Sequence, residues 1–255
     1  MFRRLIIQTV LIESFVLLGM ISCDNGNPLV VQEANTVADV DGNIYQTIKI
    51  GNQVWTTENL RTTRLNDGSI IPLAKSDSSW SMRATPGYCF LNNTTNADSI
   101  MKFGALYNWY VVNTHILAPA GWHVPTDSDW TTLKNYLISS GFNWDGTTTG
   151  NKIAKSLSAK TDWNVSGHIG SELSKNNKSG FSALPGGLRA DGSRPFGIYP
   201  PDAKFYSQGY EAIWWSSSSI GTGSGVARHL ENLYEDLEES SYGASNGFSI
   251  RLIRD

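Results

Sequence analysis

Cysteine is almost absent: the 255-residue chain has two, Cys23 and Cys89. This excludes the disulfide framework that staples many small secreted domains. Histidine is nearly as scarce, with four residues (His115, His123, His168 and His229) and no pair at i,i+3 or i,i+4 spacing that would grip a metal from one helix face. Charge is low as well. Asp, Glu, Lys and Arg make up 17% of the chain, 20 basic against 23 acidic for a formal charge of -3, so no basic footprint for nucleic acid is present. Long Glu/Lys/Leu-rich runs are missing, which excludes coiled coils and helical bundles. The lack of a tandem repeat of 20–50 residues excludes solenoids and propellers. Catalytic signatures are missing too: there is no phosphate-binding Gly-rich loop followed by Lys-Ser/Thr, no dinucleotide fingerprint, no Gly-x-Ser-x-Gly elbow, no Cys-x-x-Cys and no His-Glu-x-x-His. The Gly221-Thr222-Gly223-Ser224-Gly225 stretch is the nearest to a phosphate loop and reads as a flexible surface loop.

What the chain does contain is small, turn-forming and aromatic. Ser, Thr, Asn and Gly fill 92 positions, and Trp, Tyr and Phe fill 28 more. With 40% hydrophobic residues the burial potential is too high for a disordered chain. The balance predicts one loop-rich globular domain with an aromatic core.

The N-terminus carries an export signal. Arg3 and Arg4 form a positive start, and Leu5 to Ile21 is mostly apolar but interrupted by Gln8, Thr9, Glu13 and Ser14. An acidic residue near the middle of a membrane span costs about 2.5–3.5 kcal/mol, so a cleaved signal peptide over 1–22 fits better than a span. Its ending, Met20-Ile21-Ser22-Cys23, resembles a bacterial lipobox, which makes Cys23 the expected lipidation site and new N-terminus. Two or more acyl chains on that terminus would anchor the protein stably. The expected location is the bacterial cell envelope, at the outer membrane, the periplasmic face or the extracellular surface. Residues 23–38 have no sustained period and read as a tether. Cys89 then stands alone in the mature chain, flanked by Tyr88 and Phe90, and reads as a buried small hydrophobe.

Beyond the tether, Ile44, Gln46, Ile48 and Ile50 alternate with Tyr45, Thr47 and Lys49, and Gly51-Asn52 separates this run from Gln53-Val54-Trp55-Thr56, which predicts a hairpin. Phe248, Ile250 and Leu252 predict a closing strand. One helix is well marked: Thr126 as cap, Asp129 three residues on, Trp130, Leu133 and Leu137 on one face, and Gly141 as the stop. Phe103 to Val112 and Lys152 to Leu157 are further helix candidates. Phe181 to Leu184, Ile213 to Trp215 and Ala227 to Leu230 read as short strands between long loops.

Several blocks in order resemble one family. They are Asp41-Gly42-Asn43-Ile44-Tyr45, Ile50 to Trp55, Glu58-Asn59-Leu60, Phe103 to Tyr110, Gly121-Trp122-His123-Val124-Pro125-Thr126, Gly180 to Arg189, Trp214 to Ser218 and Ser249 to Asp255. Over about residues 39–255 the chain resembles the Fibrobacter succinogenes major paralogous domain, a family of secreted or lipid-anchored bacterial proteins without an established activity. The Gly121–Thr126 segment and the helix after it are also similar to formylglycine-generating-type domains of the C-type lectin-like group. The resemblance implies an α+β fold of C-type-lectin-like kind: a small antiparallel sheet with paired terminal strands, one or two helices and long structured loops. The cysteine and copper oxidation of the formylglycine-generating relatives is not carried over, because Cys89 is the sole cysteine left after lipidation of Cys23.

Candidate sites are therefore binding sites. Trp80, Trp144 and Trp163 stand among polar neighbours in Ser79-Trp80-Ser81, Asn143-Trp144-Asp145 and Asp162-Trp163-Asn164. An aromatic ring beside Asn or Asp can cover a sugar's apolar face while the oxygens take its hydroxyls, so Trp80, Trp144, Asp145, Trp163 and Asn164 are the candidate ligand residues. The alternative for each ring is a place in the core. Glu231 to Glu239 holds five acids in nine residues; it reads as a solvated acidic turn, with Glu231, Glu235 and Asp236 as candidate calcium ligands. No other cofactor is expected. Paired carboxylates for glycoside hydrolysis leave no local signature, since two acids about 5–9 Å apart can come from anywhere in a chain. The expectation is a lipid-anchored, non-catalytic binding or adhesion module for a glycan or an envelope partner. Its alternatives are a purely structural lipoprotein and a carboxylate-dependent glycoside hydrolase.

Overall fold

The structure, a computed structural model, describes residues 35–81, 83–192 and 204–255. The signal peptide, Cys23 and the tether up to residue 34 lie outside the described residues.

In chain order, the first strands are β1 (Thr36–Ala38), β2 (Ile44–Ile50) and β3 (Gln53–Thr56), followed by a one-turn helix α1 (Asp77–Trp80) and β4 (Tyr88–Phe90). Next come α2 (Ala97–Phe103), β5 (Ala105–Asn108), α3 (Trp109–Val112), β6 (Trp122–His123), α4 (Asp127–Ser139) and α5 (Ala154–Leu157). The second half supplies β7 (Leu188–Arg189), β8 (Phe205–Tyr206), β9 (Glu211–Trp215), β10 (Ser224–Glu231), β11 (Glu238–Gly243), β12 (Gly247–Phe248) and β13 (Ile253–Arg254). These strands form three sheets, ordered β1-β2-β3-β13-β6, β11-β10-β9 and β4-β5-β12-β7-β8. Antiparallel sheets with a few short helices make the architecture α+β, with three sheets where one small sheet was expected.

The marked local signals produce their elements. The β2–β3 hairpin turns at Gly51-Asn52, with Ile50 opposite Gln53. Its inward face differs from the plain alternation, however. Ile44 is 59% exposed, while Tyr45 is buried and donates its hydroxyl to Asp39 Oδ2 at 2.5 Å. Tyr45 turns into one core cluster at this end of the strand with its hydroxyl on a buried acceptor, and Ile50 turns into another at the far end. Helix α4 begins with a complete capping box: Thr126 Oγ1 accepts from Asp129 N at 3.2 Å and Asp129 Oδ2 accepts from Thr126 N at 2.8 Å. Trp130, Leu133 and Leu137 form its buried face, and Arg228 of β10 grips Asp127 in its first turn.

Other expectations are corrected. The sheet begins within the segment read as tether, since Thr36–Ala38 pairs with β2 and Val37 packs into the core. Phe103 to Val112 is not one helix. Gly104 adopts φ +73, and a Cβ there would lie 2.8 Å from Leu60 O, so the chain breaks at this point. It re-forms as β5, buried on both faces between β4 and β12. Phe181 to Leu184 is no strand but contributes a single bridge, Ala183 to Ser158. The closing segment splits, with β12 in one sheet and β13 in another, where Ile253 lies between Trp55 of β3 and His123 of β6. Gly225, assigned to a surface loop, packs on Trp109 so closely that an added Cβ would fall 2.2 Å from its ring.

The core is aromatic, as the composition predicts. Trp130 lies 4.8 Å from Trp55 and 5.7 Å from Trp214, with Phe181 edge-on to all three. Arg251 stacks on Phe181 at 4.7 Å and is fully buried. It donates to Asn59 Oδ1, Thr56 O, Phe181 O and Ser182 O, tying the closing segment to the first hairpin and to the 181–182 loop. Burial pulls its pKa down to about 9, which leaves it charged at neutral pH. Cys89 is buried too, and burial pushes its thiol up to about 12, so it is no nucleophile at physiological pH.

Candidate functional site

The three tryptophans with polar neighbours have different fates. Trp80 is fully buried in α1, under Arg189 at 4.9 Å and against Gly247. Trp163 is buried and donates its Nε1 to Ala183 O at 3.1 Å. Neither offers a ring face to a ligand, because each faces the interior rather than the polar residues beside it. Trp144 is the exception. Its side chain is 55% exposed, although its backbone is held by a bond from Trp144 N to Lys152 O at 3.1 Å.

Around it the loop is tightly ordered. Asn143 is buried and accepts from Lys152 N at 3.0 Å while donating to Thr149 O and Gly150 O. Asp145 accepts from Thr147 N and Oγ1 and pairs with Lys152 at 2.5 Å, contacts that hold its carboxyl well below the ordinary range. Its oxygens are therefore engaged in building the loop. Asn164 is exposed at a different place, where its main chain bonds Gly209 and Asn232.

Trp144 stands at the rim of a cleft of about 710 Å³, within the usual range for small-ligand sites. Four segments build it: the 143–146 loop after α4, helix α5 with Lys155 and Ser156, the 167–178 stretch, and the β10–β11 connection with Tyr234 and Glu235. That connection is the acidic run of the sequence, and it is docked rather than free. Asn151 clamps Leu237 from both its N–H and its carbonyl, Ala154 N donates to Glu235 O at 2.9 Å, and Ser166 Oγ donates to Asn232 O at 2.6 Å. The docking places Tyr234, 49% exposed, on the same cleft as Trp144.

Polar groups line the same cleft. His168 faces Glu235 at 3.5 Å, and Lys175 pairs with Glu172 at 2.7 Å, which lowers the Glu172 carboxyl. Lys155 donates to Ser171 O and to His168 O at 3.2 Å, and Lys178 donates to Gly141 O at 2.9 Å. Two part-exposed aromatics with hydrogen-bonding groups of both kinds suit a ligand with apolar ring faces and hydroxyls.

The acids do not gather around an ion. Among the described residues no group of three or more His, Cys, Asp or Glu is placed to hold a metal. Glu231 ends β10 opposite Glu211, Glu235 turns to His168, and the Asp236 carboxyl is raised by burial and by Glu238. The calcium set Glu231, Glu235 and Asp236 is therefore dispersed by the strand-to-turn geometry. Trp144 was legible in the sequence as an aromatic among polar residues. Tyr234, His168 and the three lysines were not, because they come from separate segments without a shared spacing.

The model of the Fibrobacter succinogenes major domain family matches residues 48–254. No curated protein and no solved structure matches the chain. Among the described residues no helix is long and apolar enough to cross a membrane.

Proposed function

This chain belongs to the Fibrobacter succinogenes major domain family, and on that premise we propose that it is a lipid-anchored envelope protein whose domain binds glycans without catalysing their cleavage. The observation that carries the reading is the cleft, where Trp144 and Tyr234 present exposed ring surface on backbones held by hydrogen bonds. Backbone that is ordered before the ligand arrives loses little entropy on binding. The lipobox-like Ser22-Cys23 supports the anchor, and the family blocks support a domain of C-type-lectin-like kind.

A hydrolase is the less favoured reading of the same cleft. Glycoside hydrolysis needs one carboxyl whose pKa is raised so that it can act as an acid. Of the two glutamates on the cleft, Glu172 is shifted the other way by Lys175. The raised carboxyls, Glu211, Glu231 and Asp236, do not line it.

The test is a glycan array and polysaccharide pull-down with the wild-type protein and Trp144→Ala. Binding that falls at least tenfold in the variant, with an unchanged melting temperature, is the expected result. No binding to any plant, host or bacterial glycan sinks the reading and leaves a structural or protein-partner role.

A further inference from the structure

The cleft differs in charge from the rest of the molecule. The whole chain carries -3, yet Lys155, Lys175 and Lys178 meet Glu172 and Glu235 on the cleft wall, three cations against two anions. Of the anions, Glu172 is paired with Lys175 at 2.7 Å, and Glu235 lies 3.5 Å from His168. Lys155 and Lys178 are held differently. Their ammonium groups rest on main-chain carbonyls, Lys155 on Ser171 O and His168 O and Lys178 on Gly141 O, with the Phe142 ring 5.1 Å from Lys178 Nζ. Carbonyls and a ring face orient a cation, but they are dipoles and quadrupoles and leave its net charge in place. Neither lysine has a carboxylate ion-pair partner among the described residues. Lys155 is also partly desolvated, and burial lowers its pKa against the opposing pull of Glu172.

A fixed, partly buried cation with no carboxylate in ion-pair contact, beside exposed rings, is a site for a ligand that is both a saccharide and an anion. We propose that the cleft selects negatively charged saccharides, with a ring stacked on Trp144 and the anionic group met by Lys155 and Lys178. The inference rests on the glycan reading of this cleft and adds the class of sugar. It concerns the charge of the ligand and leaves open whether that charge is a carboxylate or a sulfate ester.

The experiment measures the affinity of the purified full chain for paired saccharides: oligogalacturonate against its methyl ester, and a sulfated galactan against its desulfated form, together with neutral glucans and xylans. Titrations at about 50 and 300 mM salt separate the charge contribution, because salt screens it and leaves stacking intact. The expected result is at least a tenfold preference for the charged member of one pair, shrinking at high salt. The pair that shows it distinguishes a carboxylate from a sulfate. Lys178→Gln should cut the preference for the charged member at least threefold, whereas Lys178→Arg, which keeps the charge at this exposed position, should retain it. Equal binding of charged and neutral members, or binding of neutral glycans alone, overturns the inference and leaves the glycan reading standing. No binding to any saccharide overturns both.

Discussion

Glu211 lies on β9 directly opposite Glu231 of β10, and its side chain is buried. Burial raises its pKa above the ordinary 4.5, Glu231 and Glu238 add to the rise, and His229 and Ser207 oppose it. A carboxyl raised in the folded state contributes stability that is fully present below about pH 4.5 and is lost as pH climbs through the folded value. Glu211→Gln removes the buried charge, so it should raise Tm at pH 8 by about 2–4 °C, the shift that ~1 kcal/mol gives a domain of this size. The gain should fade below pH 4.5 in a calorimetric series; a gain of the same size at every pH would contradict the linkage. Residues of one type also part company at this scale. Trp80 and Trp144 have similar polar flanks, yet one lies under Arg189 and the other stands in a cleft. The flanks report composition, whereas burial depends on what the distant β7 and β12 bring over the ring.

Elements were legible where their signals are local. The capping box of α4 spans four residues and the turn of the β2–β3 hairpin spans two, so both could be read before any contact was known. Thr126→Ala should cost about 1 kcal/mol by leaving first-turn N–H groups without a partner, while Thr126→Ser stays near wild type. Denaturant unfolding measures both, and an alanine variant as stable as the parent would show that the cap carries no stability. The stretch from Phe103 to Val112 was not legible, because its apolar pattern suits a helix and a doubly covered strand alike. Pairing of β5 with β4 and β12 decides it, and Phe248, the partner of Tyr107, lies 141 residues away in the chain. β10 was read in part, as Ala227 to Leu230, whereas β11 was hidden behind the acidic run, whose charges say nothing of the clamp from Asn151.

At the scale of the whole molecule, β13 inserts between β3 and β6, so the chain closes on its first hairpin. Arg251 reinforces that closure through four oxygen acceptors. The closure keeps the domain together without a disulfide, as the near absence of cysteine requires. The proposed anchoring is tested on the intact protein: mass spectrometry of the membrane fraction should find a mature N-terminus at Cys23 bearing acyl chains. A protein that retains Met1 would refute lipidation without touching the glycan reading.

From the sequence alone came an α+β domain rich in loops, its aromatic core, its best helix and first hairpin, its family blocks and Trp144 as one candidate ring. These depend on composition and on signals a few residues long. Tertiary structure alone decided which tryptophans are core, that the acidic turn is docked and its acids dispersed, and that Tyr234 and three lysines share one cleft with Trp144. Side chains from four separate segments converge through long-range packing, and no spacing within the chain encodes that meeting.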